Sequence, residues 1–143
     1  MTATITITNP ILRGMNPDPS WIWDDEFRRI VLVTSTFELV PGLPIYVSED
    51  MTCWKHVSNV IDADLARRLL IPFVDDSGGV YAPTLRRIHG KYVIACTIAR
   101  LDDRRAMEGG CTESELMRFH AAEGNFILEA DSIEGPWHGP FWI

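Results

Sequence analysis

The chain has 143 residues, 46% of them hydrophobic, and a formal net charge of −7. That is enough apolar content for one ordinary domain with its own core. The acidic balance, with Arg pairs at 28–29, 67–68, 86–87 and 104–105 scattered among acids, excludes a nucleic-acid footprint, and no run approaches the roughly 18 apolar residues of a membrane-spanning helix.

The first eight residues, Met1 to Thr8, have neither a basic start nor an apolar stretch. No secretory signal is read there. Cys53, Cys96 and Cys111 are an odd, widely spaced set. They form no zinc pattern and no disulfide framework. Together these features predict a soluble protein, with the cytoplasm favoured as its compartment and its cysteines as ordinary thiols.

The run Asn16-Pro17-Asp18-Pro19-Ser20 sets one carboxylate between two prolines. Each proline fixes its own φ and pushes the residue before it out of the α region. Asp18 follows one proline and precedes another, so its backbone is stiff. The plain reading is a solvated acid in a turn. The functional reading is an oxygen held at one fixed point.

Strand signals dominate the rest. Trp21 and Trp23 share one face of a strand and are expected in core or blade packing, with one of them near a pocket as the alternative. Residues 29–37 are β-branched and continuous, and 44–48 form a short second run. Residues 62–70 read as one or two helical turns capped by Asp62. Residues 75–79 read as a loop. Residues 80–88 and 91–98 are strands joined by His89-Gly90, a two-residue hairpin connection. Residues 101–124 are charged around Gly109-Gly110 and read as a long loop with a short helix at 114–121. Residues 125–130 close the series as a strand. No linker divides the chain.

A weak internal repeat runs through it. In each unit a proline precedes a β-hairpin, and a further strand leads through an acidic turn to a tryptophan, Trp54 in the first and Trp137 in the second. Repeated antiparallel sheets of this size are how propeller blades look in sequence. Coincidence in any all-β chain is the alternative.

Four blocks in order, NPILRGMNPDPS (9–20), TSTFELVPGLPIYVSEDMTCW (34–54), GGVYAPTLRRIHGKYVIACT (78–97) and GNFILEADSIEGPW (124–137), resemble glycoside hydrolase family 43, in its β-xylosidase and α-L-arabinofuranosidase branch. The resemblance implies an all-β fold: about the first two blades of a five-bladed β-propeller, incomplete as it stands, with residues 1–143 as a partial catalytic domain truncated at its C-terminal end. It implies inverting hydrolysis of a glycosidic bond in xylan-type polymers. In that reaction a carboxylate activates water while a carboxylic acid protonates the leaving oxygen, the two about 6.5–9.5 Å apart. Asp18 stands where the family has its general base. Phe37 stands where it places an aromatic wall of the sugar subsite. Tyr81 stands where many members have Trp and some Tyr. Packing in a strand is the ordinary alternative for both rings. The implied partner is a xylo- or arabino-oligosaccharide, with no cofactor and no metal.

The sequence also departs from the family. Leu39-Val40 replaces a frequent aromatic pair, and Asp64 to Leu70 replaces an Arg-Pro-Ser-Gln-Leu-like stretch. The family's second aspartate would be expected at about Phe141-Trp142-Ile143, and its acid glutamate further on. Neither is assigned here. Glu113, Glu115, Glu123, Glu129 and Glu134 lie in the wrong blocks to replace them and read as solvated loop or turn acids. The expectation is therefore a chain inactive alone. Its rivals are a non-catalytic pentose-binding remnant, or a structural piece that associates through open blade edges. His56, His89, His120 and His138 lack metal-ligand spacing, and His89 reads as a turn residue. No glycine-rich phosphate cradle and no nucleophile elbow occur.

Overall fold

The computed structural model describes residues 4–143. Residues 1–3, part of the N-terminal run read for a signal, lie outside the described residues. The chain forms two four-stranded antiparallel sheets, each built from strands consecutive in sequence. The first holds β1 (Ser20–Asp24), β2 (Arg29–Val33), β3 (Gly42–Ser48) and β4 (Lys55–Ile61). The second holds β5 (Val74–Ile88), β6 (Lys91–Leu101), β7 (Asn125–Ala130) and β8 (His138–Trp142). This is the meander expected of two successive blades, and β1 and β5 are neighbours where the blades meet.

The alternation along the strands sets which side is buried. In β6 every second residue from Tyr92 to Ile98 is buried, and in β7 Phe126, Leu128 and Ala130 are. All of these but Ala130 join Val31, Val33, Leu43 and Ile45 of the first sheet in one apolar core. Each such aliphatic side chain stabilises by about 1.5–3 kcal/mol when fully buried. Polar ties cross the same boundary. The Leu85 amide donates to Ser20 Oγ at 3.0 Å, and Ser58 Oγ donates to the Ile133 carbonyl at 2.6 Å.

Most expected elements form, with informative differences. The His89-Gly90 hairpin has both φ values positive, 49° and 84°, as a type I′ turn requires. Asp62 caps α1 (Ala63–Arg68) by accepting from the Leu65 amide. The run 29–37 does not stay in the ladder: β2 ends at Val33 because the Ser35 amide turns to the Pro17 carbonyl, 2.9 Å away. Residues 75–79 are not a free loop but part of β5, at a register shift between Val74 and Gly79.

The insertion at 101–124 is more helical than expected. It holds α2 (Asp103–Glu108) and α3 (Glu113–Ala121). Thr112 and Glu115 form a capping box at α3, and Thr-x-x-Glu is the local signal that marks such a start. Strands β4 and β8 have no clear sequence signal, since Lys55, His56, Ser58 and Asn59 dilute one and Gly139-Pro140 interrupts the other. Trp21 and Trp23 are not core residues. They are 57% and 44% exposed, on the face of β1 turned away from the second sheet. Glu129 lies in a strand rather than a loop and pairs with Lys91 at 2.7 Å.

Candidate active site

The Pro-Asp-Pro segment enters β1 from one end of the junction between the blades. Its backbone differs from the extended form expected for a residue before proline: Asp18 has φ 49°. Aspartate is among the few non-glycine residues that tolerate this region. What holds it there is the first sheet. Ser35, fully buried, donates its amide to the Pro17 carbonyl at 2.9 Å and its hydroxyl to Asp18 Oδ2 at 2.7 Å. The second blade adds a longer contact, from the Ala82 amide to the same oxygen at 3.4 Å. Oδ1 accepts no hydrogen bond among the described residues. Asp18 as a residue is exposed.

Phe37 and Tyr81, two residues after Ser35 and one before Ala82, come together at the same blade junction. Their ring centroids are 5.0 Å apart with planes tilted by 51°. Neither ring is packed away in a strand; both are half-buried. The backbones are coupled as well as the rings. The Phe37 amide donates to the Val80 carbonyl at 3.2 Å, and the Val80 amide returns to the Phe37 carbonyl at 2.9 Å. Gly79, with φ 98°, makes this approach possible, because a Cβ there would overlap the Phe37 carbonyl. Tyr81 further donates its hydroxyl to the Ser77 carbonyl. Asp18, Phe37, Ser77 and Ala82 all have positive φ without being glycine. Such backbones cost about 1–3 kcal/mol each where surrounding structure holds them.

Cys96 lies below. Its thiol donates to the Tyr81 carbonyl at 2.9 Å. Burial pushes it up to about 12, and the charge of Asp18 adds to that rise. It is a packing thiol, not a nucleophile. Leu39 and Val40, which stand in place of the aromatic pair, are exposed. Asp64 to Leu70 form most of helix α1 and its C-terminal turn. Among the described residues no group of three His, Cys, Asp or Glu side chains is placed to hold a metal ion.

The other acids are engaged elsewhere. Glu115 belongs to the capping box, and its bonds from Thr112 hold its carboxyl below the usual range. Glu134 accepts from Ser132, which lowers it likewise. Asp24 is the residue that sequence reasoning missed. It is 0% exposed, at the far end of β1 from Asp18, and it pairs with Arg87 of the second blade at 2.7 Å. The first of three consecutive acids after Trp-Ile-Trp carries no signal of a partner more than sixty residues on.

The arrangement presents a carboxylate with one tethered and one free oxygen, at the blade junction that also brings two aromatic rings together. That can take a proton from water beside a ring with an apolar side. The model of glycosyl hydrolases family 43 matches residues 7–143. A non-reducing end alpha-L-arabinofuranosidase of Bacteroides ovatus is 36% identical over 140 residues, 96% of this chain and 22% of that protein. A xylan 1,3-beta-xylosidase of a Vibrio species is 34% identical over 139 residues, again 96% of this chain and 22% of that protein. The solved structure of Bacteroides ovatus xyloglucan PUL GH43B aligns with TM-score 0.72 at 34% identity, over 95% of this chain and 23% of that one. The chain thus spans about a fifth of the length of the curated relatives it matches, and its two sheets correspond to part of their five-bladed propeller.

Proposed function

This chain belongs to glycosyl hydrolases family 43, and from that membership we propose that it carries the water-activating end of an inverting glycosidase site. The bonds to be cleaved are terminal β-D-xylosyl or α-L-arabinofuranosyl linkages, as the names of the similar enzymes suggest. Asp18 Oδ1 takes a proton from water. The hydroxide oxygen attacks the anomeric carbon from the face opposite the leaving group, and the glycosidic C–O bond breaks. Phe37 and Tyr81 give the sugar ring its platform. The observation that carries the reading is the Asp18 carboxylate, tethered through Oδ2 by Ser35 and Ala82, which lie two residues before Phe37 and one after Tyr81, with Oδ1 left without a hydrogen bond among the described residues.

The proton for the leaving oxygen comes from an acid that none of these residues supplies. General acid–base assistance contributes roughly 10²–10⁴-fold. The 143 residues alone are therefore expected not to turn over a nitrophenyl xyloside or arabinofuranoside. The positive test is a chimera in which residues 9–143 replace the matching segment of the Bacteroides ovatus or Vibrio enzyme. It should hydrolyse its nitrophenyl glycoside with inversion at the anomeric carbon. Asp18→Asn should cost about 10²-fold or more. A chimera that keeps its rate after Asp18→Asn would exclude the general-base role.

A second reading has its own support. Trp21 and Trp23, on one face of β1, are 57% and 44% exposed, and Phe27 in the turn that follows is 54% exposed. Ile30 and Leu32 of β2 are buried yet stand outside the core shared by the sheets. A strand apolar on both sides is the pattern of a sheet covered on both faces. We propose that this face mediates association of the isolated chain, and sedimentation of wild type against Trp21→Lys tests it. A chain that sediments as a monomer at every concentration would remove the idea.

A further inference from the structure

We infer that Ser35 is a positioning residue for Asp18, and that it works as half of a two-blade clamp whose other half is the Ala82 amide. The inference rests on the reading of Asp18 as the general base. It adds which oxygen reacts and what fixes it.

Ser35 has no exposed surface, and its hydroxyl lies 2.7 Å from Asp18 Oδ2. The same hydroxyl is 3.4 Å from the Pro17 carbonyl. The carboxylate is the nearer acceptor and the charged one, so it takes the proton; charge-assisted bonds are the stronger kind. The Ala82 amide approaches the same oxygen at 3.4 Å from the second blade. Both donors converge on Oδ2 and none on Oδ1. A carboxylate so held has one rotational position about its Cβ–Cγ bond, and one oxygen left for water.

The two donors are not independent. Phe37, two residues after Ser35, and Val80, two residues before Ala82, exchange both backbone hydrogen bonds across the junction. Ala82 lies where the β5–β6 register shifts between Tyr81 and Thr84, with φ 46°. That irregularity frees its amide from the ladder and aims it at Asp18. A bulge beside an active site commonly re-aims one group in this way. The consequence is that docking of the second blade completes the seat of a residue carried by the first.

The test is carbon-detected NMR on the labelled 143-residue chain, so it needs no turnover. The Asp18 carboxyl resonance is assigned by its loss in Asp18→Asn. Ser35→Ala should displace that resonance, and Ser35→Thr, which keeps the hydroxyl, should return it. Both are read on protein whose Ile94 and Leu128 methyl resonances stay at their wild-type positions. The Ala82 amide proton should move upfield in Asp18→Asn, a variant that leaves Ser35 in place and decides the matter if Ser35→Ala does not fold. An Asp18 resonance unmoved by Ser35→Ala overturns the proposal, as does an Ala82 amide that ignores Asp18→Asn. A displaced resonance together with a chimera that keeps its rate after Asp18→Asn would leave the clamp standing and remove the general base. An unmoved resonance with an Asp18-dependent chimera would do the reverse.

Discussion

Asp24 and Arg87 meet across the two blades with Nη1 to Oδ1 at 2.7 Å, and the carboxylate is wholly buried. Oδ2 accepts from the Tyr92 hydroxyl, and Arg29 Nε stands 3.7 Å from it. Arg87 also reaches Glu26 and lies over the Tyr92 ring. Removing one member of a buried pair costs about 3–5 kcal/mol, and here only the exposed Glu26 is left to face Arg87. Asp24→Ala should destabilise the protein by an amount in that range in urea unfolding, and Arg87→Leu added to it should restore part of the loss. An Asp24→Ala protein within about 0.5 kcal/mol of wild type, as for an ordinary surface change, would mean that the pair contributes nothing.

Tyr92 makes the same cluster sensitive to alkali. Burial first, and then its bond to Asp24, push the phenol up to about 12 from an ordinary value of 10.0. The folded state therefore holds this proton more tightly than the unfolded chain. The resulting stability is complete below about pH 10 and is lost as pH rises toward 12. Tyr92→Phe should be less stable than wild type at neutral pH, by about 0.5–1.5 kcal/mol for the lost hydrogen bond. The two stabilities should converge above about pH 10, measured by urea unfolding across pH. Parallel curves would show that Tyr92 does not couple to the alkaline transition.

The three thiols should separate by reactivity. Cys53 is exposed, whereas Cys96 and Cys111 are buried and burial raises both. A disulfide reagent such as DTNB should modify one thiol quickly in the native protein and all three in urea. Cys53→Ser should abolish the fast phase. Rapid loss of the Cys96 thiol in the folded state would contradict its place under Tyr81.

Gly79 offers a test of the inter-blade bridge. Alanine there is strained by φ 98° and would also overlap the Phe37 carbonyl. Gly90 has φ 84° but nothing within 4 Å of where an added methyl would sit, so it isolates the backbone contribution. Gly79→Ala should cost clearly more than Gly90→Ala, which carries only the left-handed penalty of about 1–2 kcal/mol. Exchange of the Phe37 and Val80 amides should quicken in the first and not the second. Equal costs would show that the close approach is not needed.

Legibility of the sequence follows the range of the interaction. The β5–β6 hairpin is readable because His89-Gly90 and the flanking apolar alternation are local. The helix after Asp62 is readable for the same reason. The capping box at Thr112 is equally local, but the charge and glycine around it mask it. Trp21 and Trp23 mislead, since apolar character alone does not say which face of a sheet another element covers. The strand from Arg29 reads too long, because Thr34 to Phe37 have strand-like side chains while their backbone bonds go to Pro17 and Val80.

For the site, the sequence by itself determined that a stiff Pro-Asp-Pro segment would present Asp18, and that Phe37 and Tyr81 sat in blocks resembling a sugar-hydrolase family. It determined nothing about how they meet. The bonds that seat Asp18 join residues 17 and 64 positions apart, and the Asp24 pair joins residues 63 apart. Contacts at such separations depend on how one blade packs against the next, a geometry set by the shared core and by backbone irregularities at Ser35, Gly79 and Ala82. The tertiary structure alone decided that Asp18 is tethered by Oδ2 and open at Oδ1. It did so because two blades, not one segment, supply the donors.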